Sequence, residues 1–202
     1  MSSGMRRHLG DVAEITAGPS GSLLERLNDG PDGIPVISPS DITSRHTVET
    51  RKLRRVPVRD AQKLTRFVLR EGDILVVRQG SLGRLALIGA DCATWLYSSS
   101  CLRIRARREL LQPEYLVSVL SYPPTLDELL EQALPGTVPS INSEVLNNLR
   151  IVLPSVKQQQ GISEITSDIE AQICVHAEII ERLETLKPAI FRDLIEKAQQ
   201  HG

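Results

Sequence analysis

The feature that most restricts the fold is a stretch near the end of the sequence with the spacing of one long helix. Residues 157–186 contain no proline and one glycine, Gly161. Apolar residues recur there at intervals of three and four, at Ile162, Ile165, Ile169, Ile179, Leu183 and Leu186. This spacing places them on one face of a helix. Thirty residues rising about 1.5 Å each form a rod of roughly 45 Å.

The apolar face is broad, and its coiled-coil seam is imperfect. Gln172 and His176 occupy the seam positions between the two apolar triplets, while Ile173 and Ile180 add apolar atoms on the neighbouring stripe. A small domain cannot cover so long a face, so we expect a partner helix. The residues expected to contact that partner are Ile165, Ile169, Ile173, Ile180, Leu183 and Leu186. Pro188 is expected to kink or interrupt the helix, with residues 189–198 continuing as a shorter segment.

The first 150 residues have the pattern of short strands and helices in an α+β domain, built as a small barrel or a mixed sheet. Strands are predicted at residues 34–37, 74–77, 85–88 and 101–105, and a loop at 28–33. Pro35 favours an edge strand. The alternation of apolar and basic residues over 101–105 predicts a strand with one face in water or on a polyanion.

Helices are expected to follow these strands. Pro113 would begin one, and Thr125 would cap another over residues 126–134. Asn142 or Ser143 would begin a further helical turn. The expected domains are residues 1–154 and a helical segment, residues 155–202.

The positive charge is concentrated in the middle of the chain, although the net charge is only −1. Residues 51–108 contain 14 Lys and Arg against 4 Asp and Glu, a balance of 14 − 4 = +10. From residue 151 onward the balance is 5 − 8 = −3. This partition indicates a polyanion partner for the first part, the alternative being a solvated basic face. Most of the positive residues are arginine, whose planar fork suits phosphates and base edges.

No set of residues suited to catalysis is found in the sequence. The four histidines lack ligand spacing, so a zinc site is not expected. Residues 80–83 lack the GxSxG pattern of a nucleophile elbow, and no GxxxxGK[ST] phosphate loop occurs. Three widely spaced cysteines are expected to be buried or free thiols. The first residues lack the apolar stretch of a signal peptide, so a cytoplasmic protein without a membrane span is expected.

The order of four motifs resembles the specificity (S) subunits of type I restriction–modification systems. Residues 9–15 (LGDVAEI) resemble the opening strand of that family, and residues 34–42 (IPVISPSDI) its IPWI-x-x-x-DI segment. Residues 72–83 (GDILVVRQGSLG) match its GDIL-x-x-R-x-G-[ST]-[IL]-G motif. Residues 136–141 (GTVPSI), followed by residues 149–154 (LRIVLP), match the family's entry to its long helix. Where the family continues PLEEQ-x-x-I, residues 154–162 retain the glutamine and isoleucine but lack the glutamates.

The resemblance implies a half-length specificity subunit, which is not itself an enzyme. One target-recognition domain would bind one half-site of a bipartite double-stranded DNA target, and a homodimer through the helix would supply the second. Modification (methyltransferase) subunits, and a restriction subunit in some systems, would be the partners. S-adenosylmethionine, Mg and ATP would belong to those partners.

The DNA contacts are expected first on the loop after residues 74–77. The full expected set is Arg78, Gln79, Ser81, Arg84, Ser38, Ser40, Arg45, Lys52, Arg54 and Arg55. Arg and Gln side chains suit guanine and adenine edges, and Ser suits a phosphate or a base. The alternatives are polar contacts that stabilise the fold, turn capping at Ser40, and solvent exposure at the basic positions.

Two other functions remain open from the sequence. One is a specificity subunit of a related system whose partner combines methyltransferase and nuclease in one chain. The other is a coiled-coil interaction scaffold without DNA binding.

Overall fold

The structure is a computed structural model that describes residues 5–19, 32–134 and 139–200. The chain divides into two compact units, Met1–Gln160 and Gly161–Gly202. Residues 28–31 of the predicted loop at 28–33 lie outside the described residues, and so do residues 136–138 of the fourth motif.

The strands and helices of the described residues alternate in short pieces until the last helix. The strands are β1 (Met5–His8), β2 (Ala13–Ala17), β3 (Ile34–Ile37), β4 (Arg54–Val56), β5 (Ile74–Val77), β6 (Leu85–Leu87), β7 (Leu96–Tyr97), β8 (Cys101–Ala106) and β9 (Arg150–Leu153). The helices are α1 (Leu9–Val12), α2 (Val58–Ala61), α3 (Pro113–Ser121), α4 (Pro123–Glu131), α5 (Ser143–Asn148) and α6 (Val156–Gln200). Single 3-10 turns occur at Pro39–Asp41 and Ala90–Cys92, and a longer 3-10 segment at Gln62–Phe67. The predicted α+β class, with a long C-terminal helix, is confirmed.

Three open sheets make up the first unit in its described part. The central sheet has the strand order β2-β8-β5-β6, and all of its neighbours are antiparallel. A second sheet has the order β4-β3-β7, in which β3 and β7 run parallel. The third pairs β1 with β9, so that the start of the chain lies beside the strand that precedes α6.

The central sheet is buried on both faces, which explains the continuous apolar run of β5. Ile74 and Val76 belong to a core shared with Leu102 and with residues of α3 and α5. Leu75 and Val77 belong to a second core, on the opposite face, which includes residues of β3 and β7. Successive residues of a strand point to opposite faces, so a strand covered on both sides must be apolar throughout.

Strand β8 has the predicted bounds within one residue, but its basic residues do not face water or a polyanion. Arg103 has a side chain only 2% exposed, and its Nη2 donates to Glu14 Oε1 at 2.7 Å. It also donates to the Thr16 hydroxyl and to the Arg66 carbonyl. The predicted solvent face was therefore wrong, because a second layer covers it and supplies the partners that a buried guanidinium requires.

Asp73 forms the matching ion pair with Arg105. Its side chain is 1% exposed, and both carboxylate oxygens accept hydrogen bonds from Arg105, each at 2.7 Å. Asp73 also accepts from the backbone N–H of Arg70, while Arg105 donates to the Val68 carbonyl. The pair thus ties the start of β5 and the segment before it to the covered face of β8.

Three details of the predicted elements need correction. Pro35 lies on the central strand of its sheet, and this is tolerated because the parallel pairing with β7 begins only at Val36. Thr125 lies inside α4 and does not cap it, because Pro123 takes the first turn, where its missing N–H costs no hydrogen bond. Helix α6 is not interrupted at Pro188; a bend there remains a prediction. Asn142 does cap α5, accepting from the N–H of Val145.

Asp73→Ala should destabilise the protein by about 3 kcal/mol, because it leaves Arg105 partly buried without its carboxylate. Urea unfolding followed by circular dichroism would measure the loss. Glu49→Ala is the matched control, since it removes a carboxylate from an exposed pair with Arg51 and should move the unfolding midpoint little. Equal shifts for the two variants would contradict a structural role for the buried pair.

Candidate nucleic-acid interface

The loop at residues 78–84 connects β5 to β6 and presents its polar side chains outward. Gln79, Ser81 and Arg84 are exposed and Arg78 is half-buried. Leu82 between them packs against the main core and anchors the loop. The loop is closed by hydrogen bonds from Val77 N to the Arg84 carbonyl and from Gly83 N to the Val77 carbonyl.

Two glycines allow this loop its tight path. Gly80 and Gly83 have φ angles of +84° and +76°, a region that L side chains rarely adopt. A Cβ at Gly80 would meet open space, whereas one at Gly83 would lie 2.2 Å from a methyl carbon of Leu126 on α4. The GxxG spacing of this motif therefore reflects backbone geometry and packing.

Backbone hydrogen bonds join Arg78 to two other segments. Its N–H donates to the Ser100 carbonyl, and its own carbonyl accepts from Ile141 N, each at 2.9 Å. Gln79 forms an isolated bridge with Ser140. The Nε of Arg78 is buried and has no hydrogen-bond partner among the described residues.

Three consecutive serines, Ser98, Ser99 and Ser100, connect β7 to β8 and lie beside this loop. The sequence analysis did not single them out. Ser98 N donates to the carbonyl of Ile37, next to Ser38, while Ser100 contacts Arg78 as described. All three serines are partly exposed. The sequence signal was three consecutive hydroxyl residues between two predicted strands, but their neighbours come from distant parts of the chain.

Ser38, Ser40 and Lys52 lie at the same end of the second sheet as these serines. Strand β3 ends at Ile37, and antiparallel β4 is entered after Lys52, so both residues leave the sheet at that end. Asp41 accepts from the backbone N–H of Ser38 at 2.7 Å and holds the turn between them. Ser40 donates to Asp41, in line with the turn role considered for it. We call Ser38, Ser40, Lys52, residues 98–100 and the loop 78–84 the serine–arginine face.

Of the other three expected contacts, Arg45 and Arg55 lie apart from this face, whereas Arg54 lies at the end of the β3–β4 ladder that the face occupies. Arg45 precedes His46, whose carbonyl accepts a hydrogen bond from Leu87 N. Leu87 is at the end of β6 away from the loop 78–84, so Arg45 lies away from that loop. Arg54 is exposed and pairs with Val36, at the end of the β3–β4 ladder where Ser38 and Lys52 lie. Arg55 donates to the Gly33 carbonyl at the opposite end of that ladder. Their contact with DNA stays a prediction.

Burial raises the pKa of two groups behind the face. The pKa of Cys101 rises to about 12, and so does that of Tyr97, whose hydroxyl donates to the Thr16 carbonyl. A buried thiol with a raised pKa stays protonated and is a poor nucleophile. Both groups therefore act in packing at this site. Among the residues that the structure describes, no cluster of His, Cys, Asp or Glu could hold a metal ion.

Helix α6 exposes its apolar residues over most of its length. Ile165, Ile169, Ile173, Ile180, Leu183 and Leu186 are each between 51% and 63% exposed. The sequence analysis missed four further exposed apolar residues beyond Pro188, which are Ile190, Phe191, Leu194 and Ile195. Their signal was the same three- and four-residue spacing. In the part of the chain that the structure describes, no helix is both long and apolar enough to cross a membrane.

Gln159 holds the first turn of α6 by side-chain hydrogen bonds. It is the glutamine that residues 154–162 retain from the PLEEQ-x-x-I motif. Its side chain is fully buried; its amide nitrogen donates to the Leu110 and Pro154 carbonyls, and its oxygen accepts from Gln112 N. These bonds place the first residues of the helix within Met1–Gln160. A buried amide with both ends satisfied fixes where the helix begins.

Comparison with known proteins gives one family. Residues 3–185 match the family described as type I restriction modification DNA specificity domain. The specificity subunit of the type I restriction enzyme HindI from Haemophilus influenzae is 24% identical over 139 residues, 67% of this chain and 30% of that protein. The EcoBI specificity subunit from Escherichia coli is 27% identical over 160 residues, 79% of this chain and 32% of that protein. The chain thus spans about a third of the length of these relatives.

Solved structures share the fold. The HsdS subunit from Thermoanaerobacter tengcongensis superposes with a TM-score of 0.61 at 19% identity, covering 86% of this chain and 39% of that one. The S subunit of a type I restriction–modification system from M. genitalium gives 0.56 at 15% identity, covering 88% and 41%.

Substitution of the loop glycines should separate backbone strain from crowding. Gly80→Ala should cost about 1 kcal/mol, because a side chain is forced into the left-handed region without a contact. Gly83→Ala should cost more, because its Cβ also displaces Leu126. The control is Gly89→Ala, at a position with open space and an ordinary φ of −80°. Thermal unfolding would rank the three, and a Gly83→Ala variant as stable as Gly89→Ala would contradict the geometry.

Proposed function

The chain belongs to the type I restriction–modification DNA specificity family, and from that premise we propose that it recognises DNA sequence through its serine–arginine face. In this proposal residues 1–154 are the recognition domain and residues 155–202 the spacer and dimerisation helix. The chain does no chemistry of its own and directs partner methyltransferase subunits to their site.

The observation that carries the proposal is the position of the loop at 78–84. The family motif GDILVVRQGSLG ends in this loop, whose arginines, glutamine and serine are the side-chain types that bind base edges and phosphates. The hydrogen bond from Arg78 N to the Ser100 carbonyl brings the serines at 98–100 beside it, and Ser98 N donates to the carbonyl of Ile37, next to Ser38. Three separate segments thus contribute donors to one surface.

Roles within the face follow from chemistry and exposure. Arg78 is half-buried, and the exposed part of its guanidinium can donate to a base edge or a phosphate. Gln79 is exposed and can bind an adenine edge with both ends of its amide. Lys52, Ser38 and Ser40 are suited to phosphates, and so are the serines at 98–100. Arg103 and Arg105 are ion-paired inside the fold and are excluded from these contacts.

Selection from a random-sequence DNA pool by the chain with its modification partner tests the proposal directly. An enriched sequence would support recognition. A pool without enrichment, from protein that is folded and bound to its partner, would overturn it and favour the scaffold alternative.

Variants on the face should separate base contacts from phosphate contacts. Arg78→Ala or Gln79→Ala should weaken binding by about 1–3 kcal/mol and relax the preference at one base position. Lys52→Ala should weaken binding to all sequences and reduce the slope of log K against log salt by about 1. Fluorescence anisotropy at several salt concentrations would measure both effects.

Arg59→Ala is the control for these variants. Arg59 is an exposed arginine on α2, which follows the opposite end of the β3–β4 ladder. Its loss removes the same charge and should leave affinity and base preference nearly unchanged. A loss equal to that of Arg78→Ala would indicate a diffuse electrostatic effect and contradict the assigned face.

We further propose that the apolar face of α6 pairs with a second copy of this chain, which would supply the second half-site. A symmetric dimer predicts two identical inverted half-sites separated by a spacer. The support is the row of exposed isoleucines and leucines on the helix. Contiguous apolar surface of this kind marks an interaction site.

Ile169→Asp should convert the dimer to the monomer, a chain of 22.3 kDa, because it places a charge within the apolar face. Light scattering over a range of concentrations would measure the mass. Ser167→Asp adds the same charge at an exposed polar position two residues away and should leave the dimer intact. A wild-type chain that is monomeric at all concentrations would contradict the pairing of two copies.

A further inference from the structure

Three side chains from separate segments form a row beside the loop 78–84. Ser140 forms antiparallel bridges with two residues, Gln79 and Leu134. Its pairing with Leu134 has both backbone hydrogen bonds, from Leu134 N to the Ser140 carbonyl at 2.8 Å and from Ser140 N to the Leu134 carbonyl at 3.3 Å. Residues that pair directly in antiparallel segments direct their side chains to the same face. Gln79, Ser140 and Leu134 therefore lie side by side in this order, and we call them the bridge row.

The bridge row faces away from the core. Ile141, the residue after Ser140, is fully buried in the main core. Successive residues of an extended segment point to opposite sides, so Ser140 points outward. The exposure of the three side chains agrees, because Gln79 is exposed, Ser140 is partly exposed and Leu134 is 47% exposed. The row is thus part of the same outward surface as the loop 78–84.

The width of the row suits the major groove of DNA. Neighbouring extended segments lie about 4.8 Å apart, so Gln79 and Leu134, with Ser140 between them, are roughly 10 Å apart. The major groove of B-DNA is about 12 Å wide. The row can therefore lie across the groove and contact the whole exposed edge of one base pair.

The chemistry of the row changes from one end to the other. The amide of Gln79 both donates and accepts hydrogen bonds, the hydroxyl of Ser140 donates, and Leu134 is apolar. An A·T pair presents its groups across the major groove in a matching order. Adenine presents the N7 acceptor and the N6 donor, and thymine then presents the O4 acceptor and its C5-methyl group.

From this order we infer that the bridge row recognises one A·T base pair, with adenine beside Gln79 and thymine beside Leu134. The inference rests on the proposed recognition of DNA by the serine–arginine face, and it assigns a base pair and an orientation to one part of that face. The amide of Gln79 binds N7 and N6 of adenine together. The Ser140 hydroxyl donates to O4 of thymine, and Leu134 packs on the methyl group.

The other base pairs complement the row less well. A T·A pair places the methyl group beside the amide of Gln79 and the N7 acceptor beside Leu134, where it loses its hydrogen bond to water. A G·C pair presents two acceptors, N7 and O6, to Gln79, so that one of them faces the amide oxygen. Its cytosine also lacks the methyl group that Leu134 would contact. An exposed leucine beside polar groups is therefore what distinguishes thymine from cytosine at this position.

Base analogues in the duplex obtained from the random-sequence selection test the row atom by atom. Each thymine of that duplex is replaced in turn by deoxyuridine, which lacks only the C5-methyl group. Each adenine is replaced by 7-deazaadenine, which lacks only the N7 acceptor. The Kd of the full chain with its modification partner should rise about fourfold at one thymine, from the lost methyl contact. It should rise about tenfold at the adenine paired with that thymine, where a donor of Gln79 is left without its acceptor. Fluorescence anisotropy would measure both.

Matched variants assign the two effects to residues. In Leu134→Ala, deoxyuridine should no longer change the Kd, while the effect of 7-deazaadenine remains; in Gln79→Ala the reverse should hold. Loss of an effect in this way is the sign of direct contact in a double-mutant cycle. Leu110→Ala is the control, because Leu110 is a leucine of similar exposure, 42%, that follows the opposite end of β8. It should leave both effects as they are in the wild type.

The outcomes separate the bridge row from the function on which it rests. Sensitive bases that belong to different pairs, a deoxyuridine effect that persists in Leu134→Ala, or a selected sequence without an A·T pair overturns the row and leaves DNA recognition standing. A pool without enrichment overturns both. The wild-type measurements by themselves decide whether the two sensitive bases form one pair, so the test holds even where a variant does not fold.

Discussion

The first unit depends on two arginines of β8 that are neutralised inside the protein. Arg103 and Arg105 project from the central sheet into the layer between it and the segments around β3, β7 and residues 66–73. Glu14 and Asp73 supply the opposite charges, and the carbonyls of Arg66 and Val68 each accept a further hydrogen bond from one of the two guanidinium groups. The Nε of Arg103 has no partner among the described residues. A buried guanidinium without such partners would be strongly unfavourable, so these contacts hold the second layer against the sheet. Thr16 completes the cluster, and its hydrogen bond, with the charges of Arg103 and Arg105, lowers the pKa of Glu14.

This internal layer determines which polar residues remain for a ligand. Because β5 is covered on both faces, this strand can present polar groups only at its ends, and the loop 78–84 lies at one of them. The parallel pairing of β3 with β7 brings residues 98–100 to that end as well. The serine–arginine face therefore stands on a rigid base, and its loops can differ in sequence without disturbing the core.

Helix α6 differs from the rest of the chain because its apolar residues are exposed and not buried in a core. Its apolar residues are exposed along its length, so its favourable burial has to come from another surface. Its seam carries Gln172 and His176 between two apolar triplets, so the exposed face is not apolar throughout.

The sequence by itself determined the α+β class, the long helix, its apolar face and the motif order that indicated the family, because these follow from local periodicity and spacing. It also determined β5, where a single apolar run suffices, and it limited the start of α5 to Asn142 or Ser143. It did not determine the second face of β8, the central place of Pro35, or the joining of Arg78 to the serines at 98–100. Those depend on which distant segments cover each surface: Arg103 and Arg105 have the spacing of a solvent face, and only Glu14 and Asp73, 89 and 32 residues away, make them internal. Tertiary structure decided the environment of each charge, because desolvation and ion pairing depend on neighbours in space.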